Sequence, residues 1–219
     1  MTRRFLTGGY RVAVTFRSDA EWDALKTEHA AAAEQGTLLG LRADVTQTDS
    51  VREAVEAAAG RFEGLRVLVH LAGGYAGGTP VESIDETTVR RMVELNLLSA
   101  FWAAAHSIPH LKRAGGGRLL FVSSRGALEC YPGAAAYAAS KLGLHALVQT
   151  LAKEHRESAV TANAILPSVI DTPANRASMP GADFTKWVRP ESVADILVFL
   201  ASDEAASTSG ALIPVYGRA

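Results

Sequence analysis

The chain has little of what marks a secreted, membrane-bound or nucleic-acid-binding protein. Among its 219 residues there is one cysteine, Cys130. No internal disulfide can form, and a reducing, cytoplasmic setting is the expectation. A lone cysteine is more often a small packed hydrophobe than a catalytic thiol. No apolar run reaches the ~18 residues of a membrane span, and no signal peptide opens the chain. Neither sign of charge predominates: 22 basic and 23 acidic residues leave a formal net charge of −1. That balance argues against a nucleic-acid or membrane partner. Internal repeats, low-complexity tracts and linkers are also missing, and no metal site is expected. What is present is ordinary for a globular protein, with 48% hydrophobic and 21% charged residues. Residues 1–219 are expected to form a single domain with a substantial core.

Apolar runs alternate with helical spacing along the chain. Residues 11–16 (RVAVTF) read as a short strand, after which Ser18 or Asp19 caps a helix to about residue 35. Trp22 and Leu25 lie on its apolar side, and Gly36 stops it. A strand over 38–43 ends in Asp44-Val45. The next helix runs from Thr48 or Asp49 to about 62, with Val51, Val55 and Ala58 at helical spacing. Residues 66–71 (RVLVHL) form a third strand, ending in Ala72-Gly73-Gly74. A long helix over 85–112 leads to a strand over 119–122, and the helix bearing Tyr137 continues to about 155. A strand over 160–166 ends at Pro167. An irregular excursion over 168–189, a helix over 190–201 and a strand over 212–215 complete the chain. Strands built as apolar runs and alternating with helices predict a parallel sheet covered on both faces. Ligands bind such sheets outside the carboxyl ends of the strands. Arg17, Asp44, Ala72, Gly73, Gly74, Ser124 and Pro167 all fall there.

The stretch over 118–141 gathers the chemistry. Ser123 and Ser124 close an apolar run. After a Gly- and Pro-punctuated loop, Tyr137 and Lys141 stand four residues apart, on one helix face. Alone, such a pair is often no more than the amphipathic face of a helix. Ser124 places a hydroxyl thirteen residues earlier at a strand end. Asn96 sits mid-helix among apolar neighbours in VELNLLSAF, where a buried amide needs hydrogen-bond partners.

With Asn96, Ser124, Tyr137 and Lys141 in that order and spacing, the chain resembles the short-chain dehydrogenase/reductase family from about Gly9 onwards. Residues 70–74 (HLAGG) are similar to that family's Asn-Asn-Ala-Gly turn, with His70 and Leu71 in place of the asparagines. Ala43-Asp44-Val45 is similar to its adenine-contacting segment. Residues 167–172 (PSVIDT) are similar to the Pro-Gly motif whose threonine meets the nicotinamide carboxamide, with Ser168 replacing the glycine. The resemblance implies a Rossmann-like, doubly wound parallel sheet in three α/β/α layers, and hydride transfer between a carbonyl or alcohol substrate and NAD(P)(H). It implies that Tyr137 is the general acid and base. Lys141 would favour the phenolate and hold the nicotinamide ribose, Ser124 would orient the substrate oxygen, and Asn96 would fix a proton-relaying water. Asp44, Val45, Ala72, Gly73, Pro167, Val169 and Thr172 would contact the cofactor with Tyr137 and Lys141. At the end of the first strand, where an acidic residue suits NAD, stand Arg17 and Ser18. A cation and a hydroxyl there suit a 2′-phosphate and favour NADP(H) over NAD(H). A homodimer or homotetramer through the helices bearing Asn96 and Tyr137 is also implied.

One part of the family's pattern is absent. The family opens with a strand, a Thr-Gly-x-x-x-Gly-x-Gly turn and a helix. Here Thr7-Gly8-Gly9 runs at once into Tyr10 and the strand over 11–16. A βαβ unit needs ~30 residues, so the first βα unit is missing, and with it the helix N-terminus that holds the pyrophosphate. The expectation is that the strand over 11–16 pairs directly with the one over 66–71. Two functions follow: an NADP(H)-dependent oxidoreductase acting on CH–OH groups, or a non-catalytic or regulatory homologue that binds dinucleotide weakly. Arg125, Gly74, Tyr75, Cys130 and Tyr131 are candidate neighbours of the substrate.

Overall fold

A computed structural model describes residues 1–218. In chain order its elements are α1 (Thr2–Thr7), β1 (Val12–Phe16), α2 (Asp19–Glu28), α3 (Ala30–Glu34), β2 (Leu38–Arg42), α4 (Thr48–Phe62) and β3 (Val67–His70). There follow α5 (Glu86–Val93), a π-helical turn (Glu94–Leu98), α6 (Ser99–Arg113), β4 (Gly117–Val122), α7 (Gly126–Glu129) and α8 (Ala135–Glu154). The chain ends with β5 (Val160–Pro167), α9 (Pro173–Ser178), α10 (Pro190–Ala201) and β6 (Leu212–Val215).

All strand pairs are parallel, and β3, β4, β5 and β6 hydrogen-bond in that order. The run in β4 is continuous because both its faces are covered. Leu119 and Phe121 join one buried cluster with Leu144 and Val148 of α8, while Leu120 joins another with Leu197 and Leu200 of α10. Burial on both sides removes the polar alternation of a one-faced strand. The sheet's carboxyl edge therefore carries the polar residues, with Ser123 and Ser124 following β4 and residues 71–74 following β3.

The expected pairing of the first strand with residues 66–71 does not occur. β1 pairs along its whole length with β2, from Val12 with Leu38 to Phe16 with Arg42, and the two form a separate sheet. The edges are shielded by side chains instead. Phe5 of α1 is 6% exposed and belongs to the α10 cluster, against which Tyr10, Val12, Val67 and Val69 also pack. Phe5 meets Tyr10 edge-on at 5.1 Å. The short N-terminal helix thus buries apolar surface on both sides of the break without joining the sheets.

The Thr7-Gly8-Gly9 turn ends that helix. The Gly8 N–H donates to the Arg4 carbonyl at 3.0 Å, Gly9 to Leu6 at 3.0 Å and Tyr10 to Phe5 at 3.1 Å. Gly9 takes φ +82°, a left-handed conformation that glycine adopts without strain. Only Tyr10 and Arg11 separate this turn from the start of β1, so it lies at the amino edge of the sheet. There, with His29, Gln35 and Thr37, it lines a shallow depression. The carboxyl edge is a strand length away, about 16 Å for five residues.

Two helices differ from expectation. The one predicted to about residue 35 breaks at His29, where φ is −122° and ψ 41°. The long helix predicted over 85–112 is interrupted by the π turn that contains Asn96.

Candidate active site

Asn96 is fully buried within the π turn. An extra residue in a helical turn displaces the local ladder, and such bulges often mark functional positions. The Asn96 Oδ1 accepts the Gly74 N–H at 2.8 Å, and Nδ2 donates to the Gly74 carbonyl and to Ser140 Oγ, each at 3.0 Å. The Ser140 hydroxyl in turn donates to the Tyr137 carbonyl at 2.8 Å. The side chain of Asn96 thus ties the turn after β3 to the helix that carries Tyr137 and Lys141. Both amide hydrogens are taken by these groups.

Lys141 is 5% exposed and donates from Nζ to the Val122 carbonyl at 2.9 Å. Burial disfavours the ammonium and lowers its pKa to about 8. A Cβ placed on Gly73 would stand 3.0 Å from both Lys141 Nζ and Asn96 Oδ1, so the turn comes this close only because residue 73 has no side chain. Gly74 holds the same turn from its other end through Asn96.

Tyr137 lies half-buried near the start of α8, its ring edge-on to Tyr75 at 5.0 Å. Desolvation raises its pKa, the Ser124 hydroxyl opposes that rise, and Tyr75 adds to it. The net shift is upward because burial dominates. Ser124 follows β4, and its Oγ accepts the Gly126 N–H at 3.0 Å.

Two histidines buttress this cluster. His145, one turn beyond Lys141, meets Ser123 Oγ at 2.7 Å. His70 Nε2 lies 3.0 Å from Ser99 Oγ, which donates its proton to the Leu95 carbonyl at 2.6 Å. The network therefore assigns the ring proton of His70 to Nε2. Burial, then the Lys141 charge, lowers the His70 pKa to about 4, keeping the ring neutral.

At the other end of the carboxyl edge, exposed Arg17 and Ser18 follow β1. The Ser18 N–H is taken by the Glu21 carboxylate at 3.3 Å. The Arg17 carbonyl accepts from Arg42 Nη1 at 2.9 Å, and the Arg42 guanidinium pairs with Asp19 at 2.5 Å and lies over the Phe16 ring at 5.7 Å. Arg42 was not foreseen. Its signal is a second cation ending the strand that pairs with β1. Asp44 accepts from the Thr46 hydroxyl at 2.7 Å and the Thr46 N–H at 2.9 Å, which, with a smaller contribution from Arg17, hold its pKa below the ordinary carboxylate value. Half-buried Val45 follows it.

Half-buried Ala72 precedes Gly73, and buried Pro167 ends β5. The Val169 carbonyl accepts from the Val188 N–H at 2.9 Å, and Thr172 Oγ1 caps α9 through the Asn175 N–H at 3.2 Å. Near Ser124, Arg125 pairs with Glu129 at 2.6 Å and lies over the Tyr216 ring at 5.1 Å, while Tyr131 donates to Glu129. Exposed Cys130 has φ 48°, and its thiol donates to the Ala127 carbonyl at 3.4 Å.

These groups fit a nicotinamide dinucleotide at its two ends. Lys141, Tyr137 and the glycine turn after β3 suit a nicotinamide and its ribose, and Arg17 with Arg42 suits a phosphorylated adenosine ribose. The glycine turn at residues 7–9 lies on the opposite edge, where its N–H groups end α1.

Comparison with known proteins gives the same architecture. The family model for short chain dehydrogenases matches residues 1–182. Cis-4-hydroxycyclohexanecarboxylate dehydrogenase of Sinomonas cyclohexanicum is 33% identical, over 82% of this chain and 75% of that protein. The 3-oxoacyl-[acyl-carrier-protein] reductase MabA of Mycobacterium bovis is 31% identical, over 97% of this chain and 90% of that one. A short-chain type dehydrogenase/reductase from Mycobacterium ulcerans superposes with a TM-score of 0.88 at 28% identity, covering 94% of this chain and 79% of that one. The fold, the placement of polar groups along the carboxyl edge of the parallel strands, and these matches together make the chain a member of the short-chain dehydrogenase/reductase family of oxidoreductases.

Proposed function

We propose that this chain is an NADP(H)-dependent oxidoreductase that interconverts a small-molecule carbonyl and the corresponding alcohol, with Tyr137 as general acid and base. The observation that carries the reading is the cluster in which Asn96 ties Gly74 to α8 while Lys141 is buried against the same turn. A nicotinamide bound there supplies or accepts the hydride. Burial keeps the Tyr137 phenol protonated at neutral pH, so it donates to the carbonyl oxygen as the alcohol forms. Ser124 orients that oxygen through its hydroxyl. Lys141, with a pKa of about 8, is mostly protonated at pH 7. One of its three protons is held by the Val122 carbonyl, which leaves two for ribose hydroxyls. In the oxidative direction the positive nicotinamide and Lys141 together favour the phenolate.

Arg17 and Arg42 support NADP(H) over NAD(H), since two guanidinium groups end neighbouring strands. Pro167, Val169 and Thr172 would border the nicotinamide, and Asp44 and Val45 the adenine. The assembly would be a homodimer or homotetramer through the helices bearing Asn96 and Tyr137, working in the cytoplasm. Among the described residues no helix is long and apolar enough to cross a membrane.

The second reading is a non-catalytic or regulatory homologue that binds dinucleotide weakly. Titrating NADPH and NADH against the protein by calorimetry separates the two. Saturable binding that is tighter for NADPH supports the enzyme, and no binding of either at millimolar concentration moves the assignment to the regulator. Tyr137→Phe is expected to lower carbonyl reduction by about 10²–10⁴-fold with an unchanged melting temperature. An active Tyr137→Phe protein would remove Tyr137 from the chemistry.

A further inference from the structure

We infer that the substrate is a neutral carbonyl compound built on an aromatic ring, and that Tyr75 and Tyr131 hold that ring beside Ser124 and Tyr137. The inference rests on the reading of Ser124 and Tyr137 as the pair that meets the substrate oxygen, and adds the class of molecule that the surrounding surface takes.

Its first support is where the exposed apolar side chains stand. Among the described residues nine large hydrophobic side chains are exposed, and six of them lie on the segments that leave the carboxyl ends of β3, β4 and β5. Leu71, Tyr75 and Val81 follow β3, Leu128 and Tyr131 follow β4, and Met179 follows β5. Apolar surface gathered in this way is stabilised by a ligand that covers it. Two of the six adjoin the reacting pair. The Tyr75 ring lies edge-on to Tyr137 at 5.0 Å and is still 63% exposed. A Cβ on Gly126 would stand 3.3 Å from the Tyr131 ring and 3.4 Å from Ser124 Oγ, so ring and hydroxyl are neighbours across a residue without a side chain. The two loops also touch. The Thr79 N–H donates to the Gly133 carbonyl at 3.3 Å, and a Cβ on Gly133 would meet the Thr79 nitrogen at 3.0 Å. Tyr75 and Tyr131 thus stand on joined loops, one beside each member of the pair. A substrate ring reaching Ser124 and Tyr137 meets these faces and edges, the geometry in which aromatic groups attract.

Its second support is the charge of the same segments. Residues 71–81 carry no charged side chain. Over 124–134 the charged residues are Arg125 and Glu129, which pair at 2.6 Å, and Glu129 also accepts the Tyr131 hydroxyl. Over 168–181 they are Asp171 and Arg176, joined by hydrogen bonds of 2.5 and 2.7 Å. Each cation on these segments already has its carboxylate. A substrate carboxylate or phosphate would be desolvated between the two tyrosines without a free cation from either loop, and that is costly. A short acyclic carbonyl escapes this penalty but leaves both rings uncovered, so it gains little from them. A neutral aromatic carbonyl meets neither objection.

The test uses the full chain with acetophenone, 4-acetylbenzoate and 2-butanone. It reads kcat/KM for reduction with NADPH and with NADH, and ligand binding by saturation-transfer NMR. Acetophenone is expected to exceed both other ketones by about tenfold or more in kcat/KM, with the strongest transfer at its ring protons. Tyr75→Ala and Tyr131→Ala should each raise the KM for acetophenone by about tenfold and change that for 2-butanone much less. Tyr75→Phe and Tyr131→Phe should restore the parent KM, because the ring rather than the hydroxyl makes the contact. Equal losses for acetophenone and 2-butanone in both alanine variants would mean a structural role and overturn the inference. Reduction of 4-acetylbenzoate or 2-butanone as efficiently as acetophenone would overturn it too, and leave the reductase intact. Acetophenone that binds through its ring, is released by Tyr75→Ala, and is reduced with neither cofactor would keep the ring site and remove the reductase. Absence of acetophenone binding to the parent protein would remove the ring site whatever the cofactors do.

Discussion

Lys141 shows what this site costs at the scale of one residue. Its pKa in the folded protein is about 8, against 10.5 for an ordinary lysine. Between these values the unfolded chain carries a proton that the folded chain has released. Stability therefore rises with pH across that window, by about 3 kcal/mol, and the same amount is a penalty at pH 7. Lys141→Met is expected to be more stable than the parent at pH 7 in urea denaturation and to show none of the gain between pH 8 and 10.5. A parent with a flat profile there would mean that the ammonium is not desolvated. A buried, singly bonded ammonium that lowers stability is what selection for function, rather than for packing, leaves in place.

Among the elements, α1 is the one whose contribution is most easily measured. Phe5 reaches across the break between β1 and β3, so Phe5→Ala should destabilise the protein by about 3 kcal/mol. A loss below about 1 kcal/mol in chemical denaturation would mean that the helix is not docked in solution. The sequence was readable wherever periodicity decides the outcome. α10 and β6 fall on the residues expected, and β4, β5 and α4 within one or two residues of them. The cluster around Asn96 and Lys141 was also readable, because a polar residue in an apolar helix needs a partner and Asn96 finds Gly74 and Ser140. Three features were not readable. The π turn depends on that same bonding and leaves no mark on the 85–112 pattern. Residues 2–7 carry Gly8 and Gly9 just beyond them, a helix stop as much as a phosphate turn, and only tertiary contact with α10 decides between the two. The isolation of the β1–β2 pair leaves no mark in the sequence either, because it depends on the burial that Phe5 supplies beside the strand edge.

For the whole molecule, self-association is the first expectation. Phe101 of α6 and Leu142 of α8 are 42% and 40% exposed, on the two helices proposed to meet a second copy. Light scattering should show a dimer or tetramer that Phe101→Glu with Leu142→Glu converts to monomer; an unchanged mass would place the interface elsewhere. The separation of β1 and β2 from the other strands has a consequence for folding itself. In a continuous sheet every strand's opening is linked to its neighbours', whereas here the two-stranded piece shares no ladder bond with the rest. It should open as its own cooperative unit, at a lower free energy than global unfolding. Amide hydrogen exchange followed by mass spectrometry is expected to label residues 12–42 well before β4 and β5, and equal protection throughout would show that the helices alone couple the pieces. Such a protein would spend a measurable part of its lifetime with the two-stranded piece undone while the residues around Tyr137 stay folded.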